Sequence, residues 1–226
     1  MKKMLRILLV GVLSVFLLTG AAWALTINFA NLEGAKVLFR GTGDQFTFVD
    51  NSSDRDFIIT TVSGGAGDSA NLQGNISGIF TIGAVTSTST PLGTLESASV
   101  TSSSGALTIV DANNVIFSAD LEWVSISTLG NSGGINGAGS INLTNVAYTG
   151  SNNDLSAFVN LGQGKGIASA TFQFVPAKSL TDLTTDGNTN STSYSGSLVP
   201  VPEPTTMLLL GLGILGIAGI RIRSKK

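Results

Sequence analysis

The sequence predicts an all-β protein: an antiparallel β-sandwich, jelly-roll-like, flanked by an N-terminal signal helix and a C-terminal transmembrane helix. Three observations carry this. Between residues 25 and 198, polar and apolar residues alternate with period two in run after run, the pattern of strands that bury one face and wet the other. The runs are separated by clusters of Gly, Asn, Asp and Ser that tolerate turn geometry. The two longest apolar stretches sit at the chain ends, each beside basic residues. The domain boundaries follow as 1–24, 25–198 and 199–226.

At the N-terminus, Lys2, Lys3 and Arg6 form a positive segment and residues 7–18 an apolar one. Ala22-Trp23-Ala24 places small residues at the −3 and −1 positions of a cleavage site before Leu25. This is the layout of a secretory signal peptide, to be excluded from the fold.

The middle segment holds roughly 175 residues, enough for one domain with a sizeable core. Strands are expected in Thr26-Ile-Asn-Phe-Ala30, Gln45-Phe-Thr-Phe-Val49 and Asp56-Phe-Ile-Ile-Thr-Thr-Val62. More follow at 78–82, 106–110, 114–118, 121–127, 139–148, 154–160 and 167–175. No stretch shows a convincing helical period. About ten short strands argue for a two-sheet sandwich; a β-solenoid is the alternative, disfavoured by the lack of a fixed repeat. The expected core comprises Phe46, Phe48, Ile58, Phe80, Ile109, Phe117, Trp123, Phe158, Phe172 and Phe174. Residues 180–201 read as a Thr/Ser/Asn-rich segment with one last strand near 192–198, then a short linker.

Charge and composition exclude several function classes. Seven of the 12 basic residues lie in the terminal segments, leaving Lys36, Arg40, Arg55, Lys165 and Lys178 in the middle against 13 acids, a balance near −8. An acidic surface does not bind nucleic acid, whose phosphates need cations. The chain has no Cys and no His, which removes disulfides, His/Cys zinc sites and most nucleophile–base pairs. No catalytic residue is assigned, and the domain is expected not to be an enzyme. Asp120 and Glu122 share one face of a strand, the one carboxylate pair with a geometry to weigh for glycoside hydrolysis; exposed strand faces carry such pairs routinely. Asp50, Asp54 and Asp56 concentrate oxygen ligands and form a weak Ca²⁺ candidate without EF-hand spacing; otherwise no metal or cofactor is expected. Trp123 reads as core, not as a sugar platform.

The C-terminus reads Val201-Pro202-Glu203-Pro204-Thr205-Thr206, then a Gly-rich apolar run to Ile220, then Arg221-Ile222-Arg223-Ser224-Lys225-Lys226. The prolines hold Glu203 in an extended segment. As a helix, 205–220 would rise about 24 Å, short of the roughly 30 Å hydrocarbon core; Arg221 and Arg223 lengthen the span by snorkelling, and with Lys225 and Lys226 form a basic stop that stays cytoplasmic. Gly211-x-Gly213-x-x-Gly216 matches a dinucleotide fingerprint by letter only, because no strand precedes it and no βαβ unit fits after it. These glycines read as the small-residue face of a membrane helix.

Pro202, Glu203 and Pro204, the short Gly-rich apolar helix and the terminal Arg/Lys cluster together resemble the PEP-CTERM sorting signal of Gram-negative bacteria. The resemblance covers about the last 26 residues and bears on sorting alone. It implies export across the inner membrane and processing by signal peptidase and an exosortase. It also implies association with exopolysaccharide and biofilm, and a final place in the envelope, at the cell surface or in the extracellular matrix. The expectation is an exported, non-enzymatic surface or matrix protein. A carbohydrate-binding module for exopolysaccharide and a simple membrane-anchored periplasmic domain stay open.

Overall fold

The computed structural model describes residues 25–50, 55–102, 104–130 and 137–201. The expected signal peptide with Ala22 and Ala24, the Pro202–Pro204 motif, the apolar run after it and the expected basic stop lie outside the described residues.

Among the described residues thirteen strands form one antiparallel hydrogen-bonded network. They are β1 (Thr26–Asn31), β2 (Lys36–Arg40), β3 (Gln45–Val49), β4 (Phe57–Ser63), β5 (Gln73–Ser77), β6 (Phe80–Ile82), β7 (Thr86–Thr90), β8 (Gly93–Ser102), β9 (Gly105–Val110), β10 (Ile116–Leu129), β11 (Gly137–Ala147), β12 (Gly166–Gln173) and β13 (Thr189–Pro200). Among the described residues the helices are α1 (Asn153–Gly162) and α2 (Leu180–Thr184).

The long strands β10–β13 pair in sequence order and make a shared wall. Each edge of that wall holds two strands end to end. Along β10, residues 116–121 pair with β9 and residues 125–129 with β8. Along β13, residues 195–198 pair with β1 and residues 189–192 with β2. From these edges β1–β4–β5–β9 close one circuit and β2–β3–β6–β8 a second. Closure removes most of the unpaired edge that an open sheet exposes. The all-β, antiparallel expectation holds. The fold is sandwich-like, with its strands linked into one network because β10 and β13 are long enough to serve both circuits. The antiparallel pairing throughout also rules out the solenoid.

Alternation explains which faces meet. In β3, Phe46 and Phe48 are buried between half-buried neighbours; in β12, Ala168, Ala170 and Phe172 are buried between Ile167, Ser169, Thr171 and Gln173. In β10 the buried set changes parity, from Phe117, Ala119, Leu121 and Trp123 to Ile126 and Thr128. A register shift between Trp123 and Ser125 supplies the extra residue, as a bulge does. Trp123 stacks on Phe172 (6.2 Å, 12°) and takes Phe46 edge-on at 4.8 Å. Aromatic pairs of this kind contribute about 0.5–1.5 kcal/mol each beyond area burial. Gly139 lies beneath the indole: a Cβ there would meet three ring carbons of Trp123, so the close approach requires glycine.

The core expectation holds for nine of its ten residues; Ile58 is the exception. Phe57 and Ile59 are the buried pair of β4, and Ile58 between them is half-buried on the opposite face. A β1–β4 bulge at Asn28/Phe29 sets that phase. Two segments are helical against expectation. Residues 154–160 were expected as a strand, yet α1 spans 153–162, started by Asn152, whose side chain accepts the Leu155 N–H. Its buried residues Asp154, Leu155, Phe158 and Gly162 recur at helical spacing, and Phe158 meets Phe117 edge-on at 5.6 Å. Residues 180–184 form α2, opened by a Ser179–Asp182 capping box. The last strand runs Thr189–Pro200 instead of 192–198, leaving Val201 alone between it and Pro202.

Candidate functional site

Two features stand out: a neutral face of hydroxyls across the shared wall, and the sorting tail that leaves the end of β13. The face arises because β8 and β10–β13 carry Ser or Thr at many outward positions while their inward positions are mostly apolar, Glu96 and Thr128 excepted. Cross-strand register aligns Ser99, Ser125, Ser140, Ser169, Ser197, Asn28 and Thr61 in one row over seven strands. At the inter-strand spacing this row spans roughly 29 Å. A second row runs beside it through Thr86, Ser97, Ser127, Ala138, Thr171 and Ser195. All of these residues are exposed or half-buried, and none is charged.

The hydroxyls are tied to each other across strands. Ser169 Oγ and Ser197 Oγ are 2.9 Å apart, Thr171 Oγ1 and Ser195 Oγ 3.0 Å, and Thr86 Oγ1 and Ser97 Oγ 3.1 Å. Asn28 Nδ2 donates to Thr61 Oγ1 at 3.0 Å. Each hydroxyl keeps unused donor or acceptor capacity toward solvent. Beside the rows, where β1 gives way to β2 along β13, a groove of about 300 Å³ is lined by Asn31, Thr171, Gln173, Ser193 and Ser195, with Tyr194 at its floor. Asn31 shapes it, donating through Nδ2 to the Leu32 and Ala35 carbonyls while Oδ1 accepts the Tyr194 N–H. The chemistry on offer is neutral hydrogen bonding over a broad surface.

The ionisable groups are held by the fold. Asp154 is fully buried at the start of α1. Its Oδ1 accepts the N–H groups of Ala66 (2.6 Å) and Gly67 (3.2 Å), and its Oδ2 accepts the Ser69 N–H (2.9 Å) and hydroxyl (3.0 Å). Asp68 returns the grip, accepting from Asn153 N–H, Asn153 Nδ2 and Asp154 N–H at 2.8, 2.9 and 3.1 Å. Partial desolvation opposes the charged form of Asp68, but these hydrogen bonds prevail and hold its pKa below the usual range. Asp111 is also lowered, chiefly by the Tyr148 hydroxyl that donates to Oδ2 at 2.5 Å. Tyr148 is raised by desolvation and by the same bond, and its oxygen accepts the Asn152 N–H. Glu96 accepts from the Thr181 N–H and hydroxyl, both at 2.9 Å, and so anchors α2.

The residues singled out from sequence fall as follows. Asp50 is exposed, Asp54 lies outside the described residues, and Asp56 is buried. Asp56 Oδ2 accepts the Ile76 N–H at 2.5 Å, while Oδ1 is buried with no hydrogen-bond partner among the described residues. Burial pushes its pKa up to about 6, the Ile76 bond opposing and Asp50 adding. Among the described residues no three His, Cys, Asp or Glu gather as a metal site. Asp120 and Glu122 stand exposed on one face of β10, opposite Thr144 and Asn142, and Asp120 Oδ2 accepts from Asn145 Nδ2 at 2.7 Å. Trp123 is core, as expected, with its Nε1 buried and without a partner. No described helix is long and apolar enough to cross a membrane.

Sequence reading missed the hydroxyl rows and the Asp68–Asp154 clasp. Alternate Ser and Thr were visible in each strand, but a row exists only once strand neighbours and register are known. For the clasp, the signal was Asn152-Asn153-Asp154, a run of helix-starting residues.

Comparison with curated proteins and with solved structures gives no match. The sequence model of the PEP-CTERM protein-sorting motif matches residues 200–224. That span includes Pro202, Glu203, Pro204, the apolar run and Arg221 and Arg223. A motif of this kind marks a protein for export and for sorting by an exosortase to the cell surface. The chain thus ends in a PEP-CTERM protein-sorting motif.

Proposed function

We propose that this chain is a non-enzymatic component of the cell surface or extracellular matrix, retained at the membrane through its tail until an exosortase acts near Pro202-Glu203-Pro204. The observation that carries the reading is the sorting motif at residues 200–224, which begins on the last residue of β13 and sets Pro202-Glu203-Pro204 one residue beyond the strand. In this role Pro202, Glu203 and Pro204 are substrate, Ala22 and Ala24 mark the signal peptidase site, and Arg221, Arg223, Lys225 and Lys226 stop transfer. The test compares the protein's location in cells with and without the exosortase. Accumulation in the inner membrane without the enzyme is the expected result; unchanged surface delivery would reject the reading.

A second reading concerns what the exported domain touches. The neutral hydroxyl rows and the polar groove beside them favour a neutral, polyhydroxylated polymer, and exopolysaccharide is the candidate of that chemistry. A glycan-binding screen of the exported protein tests it, run with and without Ca²⁺ because the sequence of residues 50–56 is rich in oxygen-bearing side chains. Ser140→Arg with Ser169→Arg places two bulky charges in the middle of the rows and should abolish any glycan retention. Retention unaffected by that pair would show that the face is not the contact.

A further inference from the structure

Closure of the two circuits leaves one strand with a single neighbour. Among the described residues β7 pairs only with β8, so alternate residues of β7 direct their N–H and C=O groups away from the sheet. Four of its five residues are exposed on both faces of the sheet, and Thr90 is half-buried. Natural edges are blunted by Lys, by Pro within the strand or by a bulge. Here the pairing with β8 is regular, residues 85–93 carry no charge, and Pro91 falls in the turn after the strand.

The sequence of the edge also says what fits it. Thr86-Ser87-Thr88-Ser89-Thr90 reads identically in both directions about Thr88. Placed antiparallel to itself on a two-fold axis through Thr88, it pairs Thr88 with Thr88, Ser87 with Ser89 and Thr86 with Thr90. Every cross-strand pair is then matched in size and chemistry, on both faces. The domain as a whole is acidic, so copies repel each other over most of their surface; β7 is a neutral strip where backbone can approach backbone. We propose that β7 is a self-association edge, pairing antiparallel with β7 of a second copy and joining the hydroxyl faces of two molecules into one sheet. The contact is isologous, so it closes at two copies and does not propagate as a fibre. The inference is independent of how the tail is processed.

The chain contains no cysteine, so single-cysteine variants report only the contact they are placed to test. Opposed residues of an antiparallel pair have Cα atoms about 4.5–5.5 Å apart, within disulfide reach. Full-length T88C, purified in detergent and mildly oxidised, should form a disulfide-linked dimer on non-reducing gels. T86C and T90C should each stay monomeric, since four residues of strand separate a position from its own copy by roughly 13 Å. Mixed together, T86C and T90C should cross-link to each other. T88C that stays monomeric while its circular dichroism matches the parent would overturn the proposal. So would equal cross-linking of all three single variants, which would report random collision.

Discussion

Asp154→Asn removes one charge, keeps the side-chain volume and attacks the joint between α1 and the loop before β5. The carboxylate accepts four hydrogen bonds, three from backbone N–H groups of Ala66, Gly67 and Ser69 and one from the Ser69 hydroxyl. An amide has a single acceptor oxygen. With its NH₂ toward Ala66 and Gly67, two backbone donors face a donor; toward Ser69, one backbone donor does, because the hydroxyl can rotate to accept. The second arrangement is the cheaper. It leaves one buried N–H unsatisfied, about 1–3 kcal/mol, and weakens the remaining bonds from charge-assisted to neutral strength, about 1 kcal/mol more. The expected loss is about 3 kcal/mol, a large share of the roughly 5–15 kcal/mol that stabilises a domain. Urea unfolding should show a lower midpoint at unchanged m-value, and hydrogen exchange should accelerate first at the Ser69 amide. Because Asp68 holds the same joint from the other side, Asp68→Asn and Asp154→Asn should be non-additive by at least about 0.5 kcal/mol. A loss below about 1 kcal/mol for Asp154→Asn, with Ser69 exchange unchanged, would refute the clasp.

Asp56 should make the protein more stable as pH falls from 7 to 5. Its folded pKa is raised from 3.8 to about 6, so the neutral form is favoured. The stabilisation is complete below the unfolded value and lost as pH rises through about 6. Allowing for solvent screening, the gain is roughly 1–2 kcal/mol, read as a rise in urea midpoint; Asp56→Asn should flatten the profile. A stability that falls steadily over that window would contradict the assignment. Asp68 and Asp111 act oppositely, since lowered pKa values stabilise above the unfolded value and lose that contribution only as pH drops below it. Gly139→Ala should cost about 1–3 kcal/mol by forcing its methyl against the Trp123 ring, lowering Tm by roughly 3–10 °C and altering Trp fluorescence. A Tm within 1–2 °C of the parent would mean the indole has room to move.

Much of the fold was legible because alternation is a local property. Phe46 sits between Gln45 and Thr47, and Phe172 between Thr171 and Gln173, and both are buried. Ile58 was misassigned because Phe57-Ile58-Ile59 is apolar throughout, so phase along the run is set by pairing with β1, which lies some thirty residues away. The strand expected at 154–160 became α1 because the apolar spacing of Leu155 and Phe158 serves a helix as well, and Asn152 decides for the helix through its cap. The tail motif was readable outright, since contiguous residues define it. The hydroxyl face was not: Ser99, Ser125, Ser140, Ser169 and Ser197 are 15 or more residues apart in sequence and meet only through register. The free edge of β7 follows from the closure of every other strand, a property of topology and not of the segment itself.

The most direct test of the account is the C-terminal mass of the protein recovered from the surface or medium of cells that carry an exosortase. A terminus at or near Pro202-Glu203-Pro204, with Arg221 to Lys226 missing, is the predicted result. Surface-exposed molecules that all retain the chain through Lys226 would contradict it.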